Sequence, residues 1–457
     1  VPDGYGKRTV NAGDVGAPRL WDYVGACGGH SIVMNVPVTY PPRPIDGVLV
    51  AGLLTPVGAP YTEPAEVGPE LERLFAYSPD HPASRRGKLR RVRVQADAFL
   101  HLLERQPWDV AMLVISVTDW AQHDHWEDRA YVDRLFDEAD ATLGRIIERA
   151  GAPNVAVISD HGFCGAGKIL NVNRLLSDLG FLSYGGSGGG DVYVPNLVLR
   201  GREARPGVAG RAARGLLQPR RVLGLLHRLG MERALDLIPN VLWHRLKSRM
   251  VVWDTPIDWP ATSAYLYNGL PQTICMNVIG REPDGCVPPE DYESVRAEIA
   301  SALLQAEDPT DGGPIFTRVL TRDEAFPGRR AERAPDLCFE VRGDAYLVSP
   351  ADHPSVVWRT HKLRGRHRSG GIYAVHGPAF RSGASAEARL LDMTPTLLCA
   401  AGYAPPCGTD GQAAVQLLSE GAARIEPRQY DLQVAEAAVG TADGASVERC
   451  LRDLGYM

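Results

Sequence analysis

An α/β fold, with a doubly wound and mostly parallel sheet and an inserted helical cap, is what three features of this 457-residue chain predict. Val110 to Val117 is an almost unbroken apolar run, the pattern of a strand covered on both faces. Asn154 to Ser159 repeats that pattern. Between them, Arg129 to Ala150 carries apolar residues at helical spacing, and a strand, a helix of this length and a second strand make a βαβ unit. The length fits two or three domains, or one large core with an insertion.

The remaining elements follow in chain order. Leu20 to Gly25 reads as a short helical turn that Gly28 and Gly29 break, and Ser31 to Asn35 reads as a buried strand. Gln95 to Leu103 has a helical pattern. Residues 1–184 therefore make the first part of the core. Residues 185–260 begin with the flexible run Gly185 to Gly190 and continue into an Arg- and Leu-rich helical cap over Gly207 to Ser248, which Pro239 interrupts. The core resumes over 261–427, with a strand near Thr273 to Ile279, a helix from Asp291 to Leu304, a strand near Gly371 to Val375 and a late helix from Leu391 to Ala401. Residues 428–457 have little periodicity and read as an arm or tail.

Composition narrows the function classes. Hydrophobic residues are 44% of the chain and charged residues 23%, which suits a folded core rather than intrinsic disorder. Lys and Arg number 49 against 55 Asp and Glu, a formal net charge of −6. No broad attraction to nucleic acid follows, so no nucleic-acid polymer is an expected partner. Two local basic runs stand out, Arg85 to Arg93 and Arg359 to Arg368. Eight scattered cysteines without a CxxC pair read as reduced thiols. No 18-residue apolar stretch and no signal-peptide pattern occur, so the expectation is a cytoplasmic protein without a membrane span.

Side chains suited to catalysis gather at the expected carboxyl ends of strands, where open α/β sheets place their sites. The first apolar strand runs into Thr118-Asp119-Trp-Ala-Gln-His123. Asp119 and His123 are four apart, so on a helix they share a face and could bind one metal. The second strand runs into Ser159-Asp160-His161-Gly162-Phe163, where Asp160 and His161 splay from a turn that Gly162 permits. A third histidine, His367, stands in Gly365 to Gly371, which reads as a glycine-rich loop. Oxygen and imidazole donors without cysteine suit Zn²⁺ or Mn²⁺ in an open catalytic site. Each residue also has a structural reading, as a helix cap or a satisfied polar group; His125 faces elsewhere and reads as structural. Trp126 and Phe163 could stack on a base or pack the site. Arg366 and Arg368 could neutralise a phosphate or stay solvated. Asn35, Thr39 and Tyr40 could line a substrate mouth, or belong to a strand-end turn with Pro41 and Pro42.

The chain resembles the type I phosphodiesterase/nucleotide pyrophosphatase group of the alkaline phosphatase superfamily. The resemblance rests on Asn35-Val-Pro-Val-Thr-Tyr-Pro-Pro42 with Gly47 to Pro56, Thr118-Asp119 through His123, Ser159 to Phe163, Gly280 to Pro283, Pro335 to Leu337, Gly365 to Gly371, Asp392 to Thr396 and Thr409 to Gly411. It implies an alkaline phosphatase-like core holding two divalent ions, usually zinc, with Mn²⁺ as the alternative. By motif, Asp119, His123 and His367 would hold one ion, and Asp160 and His161 part of the other. It implies a hydrolase of phosphodiesters or nucleotide pyrophosphates acting on a small phosphorylated substrate. The family also supplies, ahead of the Asn35 segment, an Asp ligand and a Thr or Ser nucleophile. Asp3, Thr9, Asp14 and Asp22 follow no buried strand and receive neither role, so the chain resembles a member whose beginning is missing. A remnant that binds a ligand at a partial metal site is the alternative. A sulfatase lacks support because no CxPxR motif occurs, and a phosphomutase would need a further inserted domain.

Overall fold

A computed structural model describes residues 2–3, 5–7, 10–56, 58–79, 84–185, 256–266, 272–328, 330–350 and 353–432. The helical cap expected over Gly207 to Ser248 lies outside them. The described chain forms strands β1 (Pro2–Asp3), β2 (Gly6–Lys7), β3 (Ser31–Met34), β4 (Gly47–Val50), β5 (Thr62–Glu63), β6 (Val110–Leu113), β7 (Val155–Ile158), β8 (Gly162–Asn171), β9 (Ala264–Leu266), β10 (Thr273–Met276), β11 (Phe316–Thr321), β12 (Leu337–Val341), β13 (Tyr346–Ser349), β14 (Val357–Arg368) and β15 (Tyr373–His376). The helices are α1 (Leu20–Ala26), α2 (Val67–Phe75), α3 (Arg85–Arg105), α4 (Val117–His125), α5 (Arg129–Ala150), α6 (Val172–Asp178), α7 (Tyr292–Leu304), α8 (Arg322–Ala325), α9 (Leu390–Ala400) and α10 (Glu420–Ala423). Among the described residues, no helix is long and apolar enough to cross a membrane.

The chain divides into two compact units, one from residues 9–164 and 367–454, the other from 1–8, 165–366 and 455–457. The first unit is built on a four-stranded sheet of order β5-β4-β3-β6. β3 pairs in parallel with β4 and with β6, and β5 is an antiparallel edge. β3 is apolar throughout because both of its faces are covered. Ile32 and Met34 pack with Val67 and Leu71 of α2 and Phe99 and Leu102 of α3. Val33, on the opposite face, packs with Leu20 and Trp21 of α1 and Leu398 of α9. Helices on both sides of a parallel sheet are the doubly wound arrangement that the apolar runs predict.

Two local expectations are corrected. The strand near residues 154–159 is β7, and it pairs antiparallel with β15 rather than in parallel with β6. Nor are these strands fully buried: β6 is half-buried, and Val157 of β7 is exposed. Apolar composition reports what a strand can bury, whereas partners along its edges decide what it does bury. Second, Gly365 to Arg368 belongs to the twelve-residue strand β14 rather than to a loop.

The basic run Arg85 to Arg93 forms the first turns of α3, and ion pairs tie this helix to its neighbours. Arg85 pairs with Asp128 at 2.6 Å, Lys88 with Asp124 and Arg93 with Glu138. Arg145 of α5 then pairs with Asp97 at 3.2 Å. Lys88 is buried, whereas exposed pairs such as Arg85–Asp128 and Arg145–Asp97 contribute little stability singly, yet they hold register.

The second unit contains the antiparallel sheet β11-β12-β10-β9 and the sheet β13-β8-β14. Two motifs from the sequence meet here. Arg281 donates from both terminal nitrogens to the buried carboxylate of Asp336, at 2.7 Å each. The Tyr292 hydroxyl and the Met276 amide complete its shell, also at 2.7 Å. These residues are therefore a buried structural anchor, with the planar guanidinium matching the carboxylate.

Asp392 to Thr396 and Thr409 to Gly411 also have a structural role. Asp392 caps α9 by accepting from the Arg389 amide at 2.8 Å, and accepts from the Gln412 amide at 2.9 Å. Burial opposes its charge, but these bonds and the Arg389 guanidinium hold its carboxyl below the usual range. A group so held binds its proton less readily folded than unfolded, so its stabilisation is full above the unfolded carboxyl pKa and is lost as pH falls. Asp392→Asn should cost about 1 kcal/mol at neutral pH, the usual worth of a cap. The cost should shrink as pH drops through the acidic range, which denaturant titrations at several pH values would read.

Candidate metal centre

The parallel register of β3 and β6 positions the site. Met34 lies opposite Leu113, and the Val114 amide donates to the Met34 carbonyl at 3.0 Å, so both strands end at one edge. After Val114 the chain turns into α4, whose first turn carries Asp119 and whose next turn carries His123. The i,i+4 spacing brings His123 Nε2 to 3.5 Å from Asp119 Oδ1. His367, next to the end of β14, places Nε2 at 2.8 Å from the same oxygen and at 2.8 Å from His123 Nε2.

Asp119, His123 and His367 thus offer three ligand atoms that all lie within 4.8 Å of one another. The donor set, two imidazole nitrogens and one carboxylate oxygen, fits a first-row divalent cation. His161 adjoins this group. Its Nε2 is 3.8 Å from Asp119 Oδ1 and 3.5 Å from Asp160 Oδ1, and its ring stacks on that of His367 with centroids 3.6 Å apart. His161 Nδ1 lies 3.1 Å from the Gly162 carbonyl, which can only accept. Donation from Nδ1 to that carbonyl orients the ring and turns Nε2 toward the carboxylates. Asp160 is the most open member, with its side chain 72% exposed.

A backbone clasp holds the two histidine-bearing segments together. The Ser159 amide donates to the Ile372 carbonyl at 2.9 Å, and the Ile372 amide donates to Ser159 Oγ at 2.7 Å. Gly162 is required by closeness: a Cβ there would lie 2.0 Å from the Gly370 carbonyl oxygen. Phe163 fills the space beneath the imidazoles, edge-on to His123 at 4.9 Å and to His367 at 5.0 Å. Trp126 lies beyond Phe163, under the Arg129 guanidinium. Both aromatics thus pack against site residues or their neighbours. His125 faces away, toward Arg85 and Tyr131. Arg366 donates to the Tyr346 carbonyl at 2.6 Å.

The segment from Asn35 to Tyr40 is a rigid turn. Thr39 is buried; its hydroxyl donates to the Val36 carbonyl at 2.6 Å and accepts from the Gly52 amide at 3.0 Å. Asn35 and Val38 both have positive φ, 63° and 58°. For a β-branched residue such as Val38 that conformation is unusual, and the surrounding hydrogen bonds enforce it. Tyr40 packs against the α1 side of the sheet. A strand-end turn is one of the two readings the sequence offers for this segment; the bracing of that turn by the Thr39 hydroxyl and the Gly52 amide is visible only in the structure. Asp14 and Asp22 are also accounted for: each caps a short helix, through the Asn11 and Arg19 amides.

The clasp yields a contrast between two glycines. Gly162→Ala should destabilise by about 1–3 kcal/mol, the usual cost of forcing atoms into a filled space. Gly144→Ala, in the interior of α5 with nothing within 4 Å of an added Cβ, should stabilise by about 0.5–1 kcal/mol. Denaturant unfolding of both variants reads the difference.

Comparison with known proteins agrees with this geometry. No curated protein matches the chain. The sequence model of one family, type I phosphodiesterase / nucleotide pyrophosphatase, matches residues 4–369, a span that includes Asp119, His123 and His367. The α/β architecture with its parallel sheet is consistent with the alkaline phosphatase-like fold of that family. The chain belongs to the type I phosphodiesterase/nucleotide pyrophosphatase family.

Proposed function

We propose that the chain is a metal-dependent hydrolase of phosphodiester or nucleotide pyrophosphate bonds. The observation that carries this reading is the convergence of Asp119, His123 and His367 in a chain of this family. These three residues would hold one divalent ion, with zinc as the expected metal and manganese as the alternative. Asp160 and His161 would supply part of a second site. Bound there, such ions supply charge neutralisation for the phosphoryl oxygens of the substrate.

The chain's own residues account for the rest. Asp119 lies in the first turn of α4, where the helix dipole favours its negative charge. His161 is oriented by the Gly162 carbonyl, so its Nε2 stays available as a donor of electrons. Phe163 packs against the imidazoles and limits their rotation. Asp160 is open to solvent, as suits a ligand reached by an incoming substrate.

Metal content and activity test the reading separately. The purified chain, loaded with zinc or manganese, should hydrolyse bis-p-nitrophenyl phosphate or a dinucleoside pyrophosphate. His367→Ala should remove one metal equivalent by elemental mass spectrometry, with an unchanged circular dichroism spectrum; unchanged metal content would sink the triad. Asp160→Ala should lose diester hydrolysis before it loses thermal stability, and full activity would reject its role. A loaded chain that binds metal but hydrolyses neither substrate would favour a binding function instead.

A further inference from the structure

Among the described residues, one buried cation has no counter-charge. Arg91 of α3 is 8% exposed, and its hydrogen bond and cation-π contact are both with Tyr77. Its Nη2 donates to the Tyr77 hydroxyl at 3.4 Å, and its guanidinium stacks 4.6 Å from that ring. The Nε of Arg91 has no hydrogen-bond partner. Among the described residues no carboxylate pairs with it, in contrast to Arg85, Lys88 and Arg93 on the same helix. An uncompensated charge in the interior is expensive, so a protein that retains one usually gives it a partner.

Further unpartnered groups lie beside it. The Tyr77 hydroxyl donates to Asn35 Oδ1 at 2.5 Å. That bond fixes the amide, and Asn35 Nδ2 is left without an acceptor although Asn35 is 5% exposed. Burial raises the Tyr77 pKa, which keeps the hydroxyl a neutral donor. Gln95 is one turn beyond Arg91 on the same helix face, 2% exposed, and its Oε1 has no donor. Orphaned donors on Arg91 and Asn35, together with one orphaned acceptor, describe a ligand that mostly accepts but also offers one hydroxyl. A phosphate group carrying one proton has that pattern; a carboxylate or a sulfate anion does not.

Its location suits a substrate. Asn35 directly follows β3, beside the end of β6, and the chain leaving β6 carries Asp119. The left-handed conformation of Asn35 is braced by its own amide, which donates to the Val50 carbonyl at 2.9 Å. We propose that Arg91 and Asn35, bridged by Tyr77, form an oxyanion site that takes a phosphate group of the substrate distal to the bond being cleaved. The identity of the ligand as part of a substrate rests on the phosphoester-hydrolase reading. The phosphate site itself does not.

Binding of inorganic phosphate to the full chain by titration calorimetry tests the site without any turnover. Asn35→Asp keeps the acceptor for Tyr77 and supplies Arg91 with a carboxylate, so it should fold at least as stably as the parent. It should weaken phosphate binding by about tenfold or more, as should Arg91→Met. His367→Ala should leave this binding in place, and sulfate should bind at least about tenfold more weakly than phosphate. Parent-like phosphate affinity in N35D, or no phosphate binding by the parent chain, would overturn the proposal. Kinetics then locate the site on the substrate: N35D should raise KM for a nucleoside triphosphate while leaving KM for bis-p-nitrophenyl phosphate unchanged. An equal effect on both substrates would overturn the distal assignment and leave the hydrolase reading standing. Loss of phosphate binding in N35D from a chain that hydrolyses neither substrate would uphold the site and remove the hydrolase reading.

Discussion

Three imidazoles crowd one carboxylate oxygen, Asp119 Oδ1, with nitrogens at 2.8, 3.5 and 3.8 Å. That convergence constrains the unit that contains it. Asp119 and His123 can present one face only if the chain leaving β6 becomes helix at once, and α4 begins at Val117. His161 and His367 can stack only if the turn after β7 meets the end of β14. The clasp between Ser159 and Ile372 and the missing side chain at Gly162 make that approach possible. A bulky residue at position 162 would push apart two backbones that the imidazole stack needs close.

Charge is distributed around this centre with different degrees of compensation. The basic run of α3 is matched to Asp124 of α4, Asp128 before α5 and Glu138 of α5, and Asp97 of α3 to Arg145 of α5, which turns a run of cations into an inter-helix ladder. Asp336 shows the buried version, where four donors surround one carboxylate. Arg91 departs from both patterns, being buried with a phenol for company. Among the described residues, the other buried charged groups, Lys88, Arg296, Asp308 and Asp336, each have a charged partner, so the exception points to a ligand rather than to loose packing.

The turn after β3 shows how strain and order go together. Asn35 and Val38 sit in left-handed backbone conformations that only strong surroundings maintain. Thr39 provides part of that support by hydrogen bonding at both ends to backbone. A cap, a turn brace and an oriented amide are what these residues supply, so their chemistry near the strand ends is positional before it is anything else.

Sequence by itself determined the alternation of strands and helices, the i,i+4 spacing that lets Asp119 and His123 share a face on a helix, and the list of metal-ligand candidates. It could do so because helical periodicity, apolar runs and i,i+4 spacing are local properties, written in neighbouring residues. The family resemblance was legible for the same reason, through short motifs in a fixed order. Only the tertiary structure decided that β7 pairs antiparallel with β15, that His367 lies on a strand, and that Asp336 and Asp392 serve as structural anchors. It alone showed Arg91 buried without a carboxylate, because a residue in a basic run looks solvated until its helix face is known. Pairing across hundreds of residues depends on edges, closeness and burial, which no local pattern encodes.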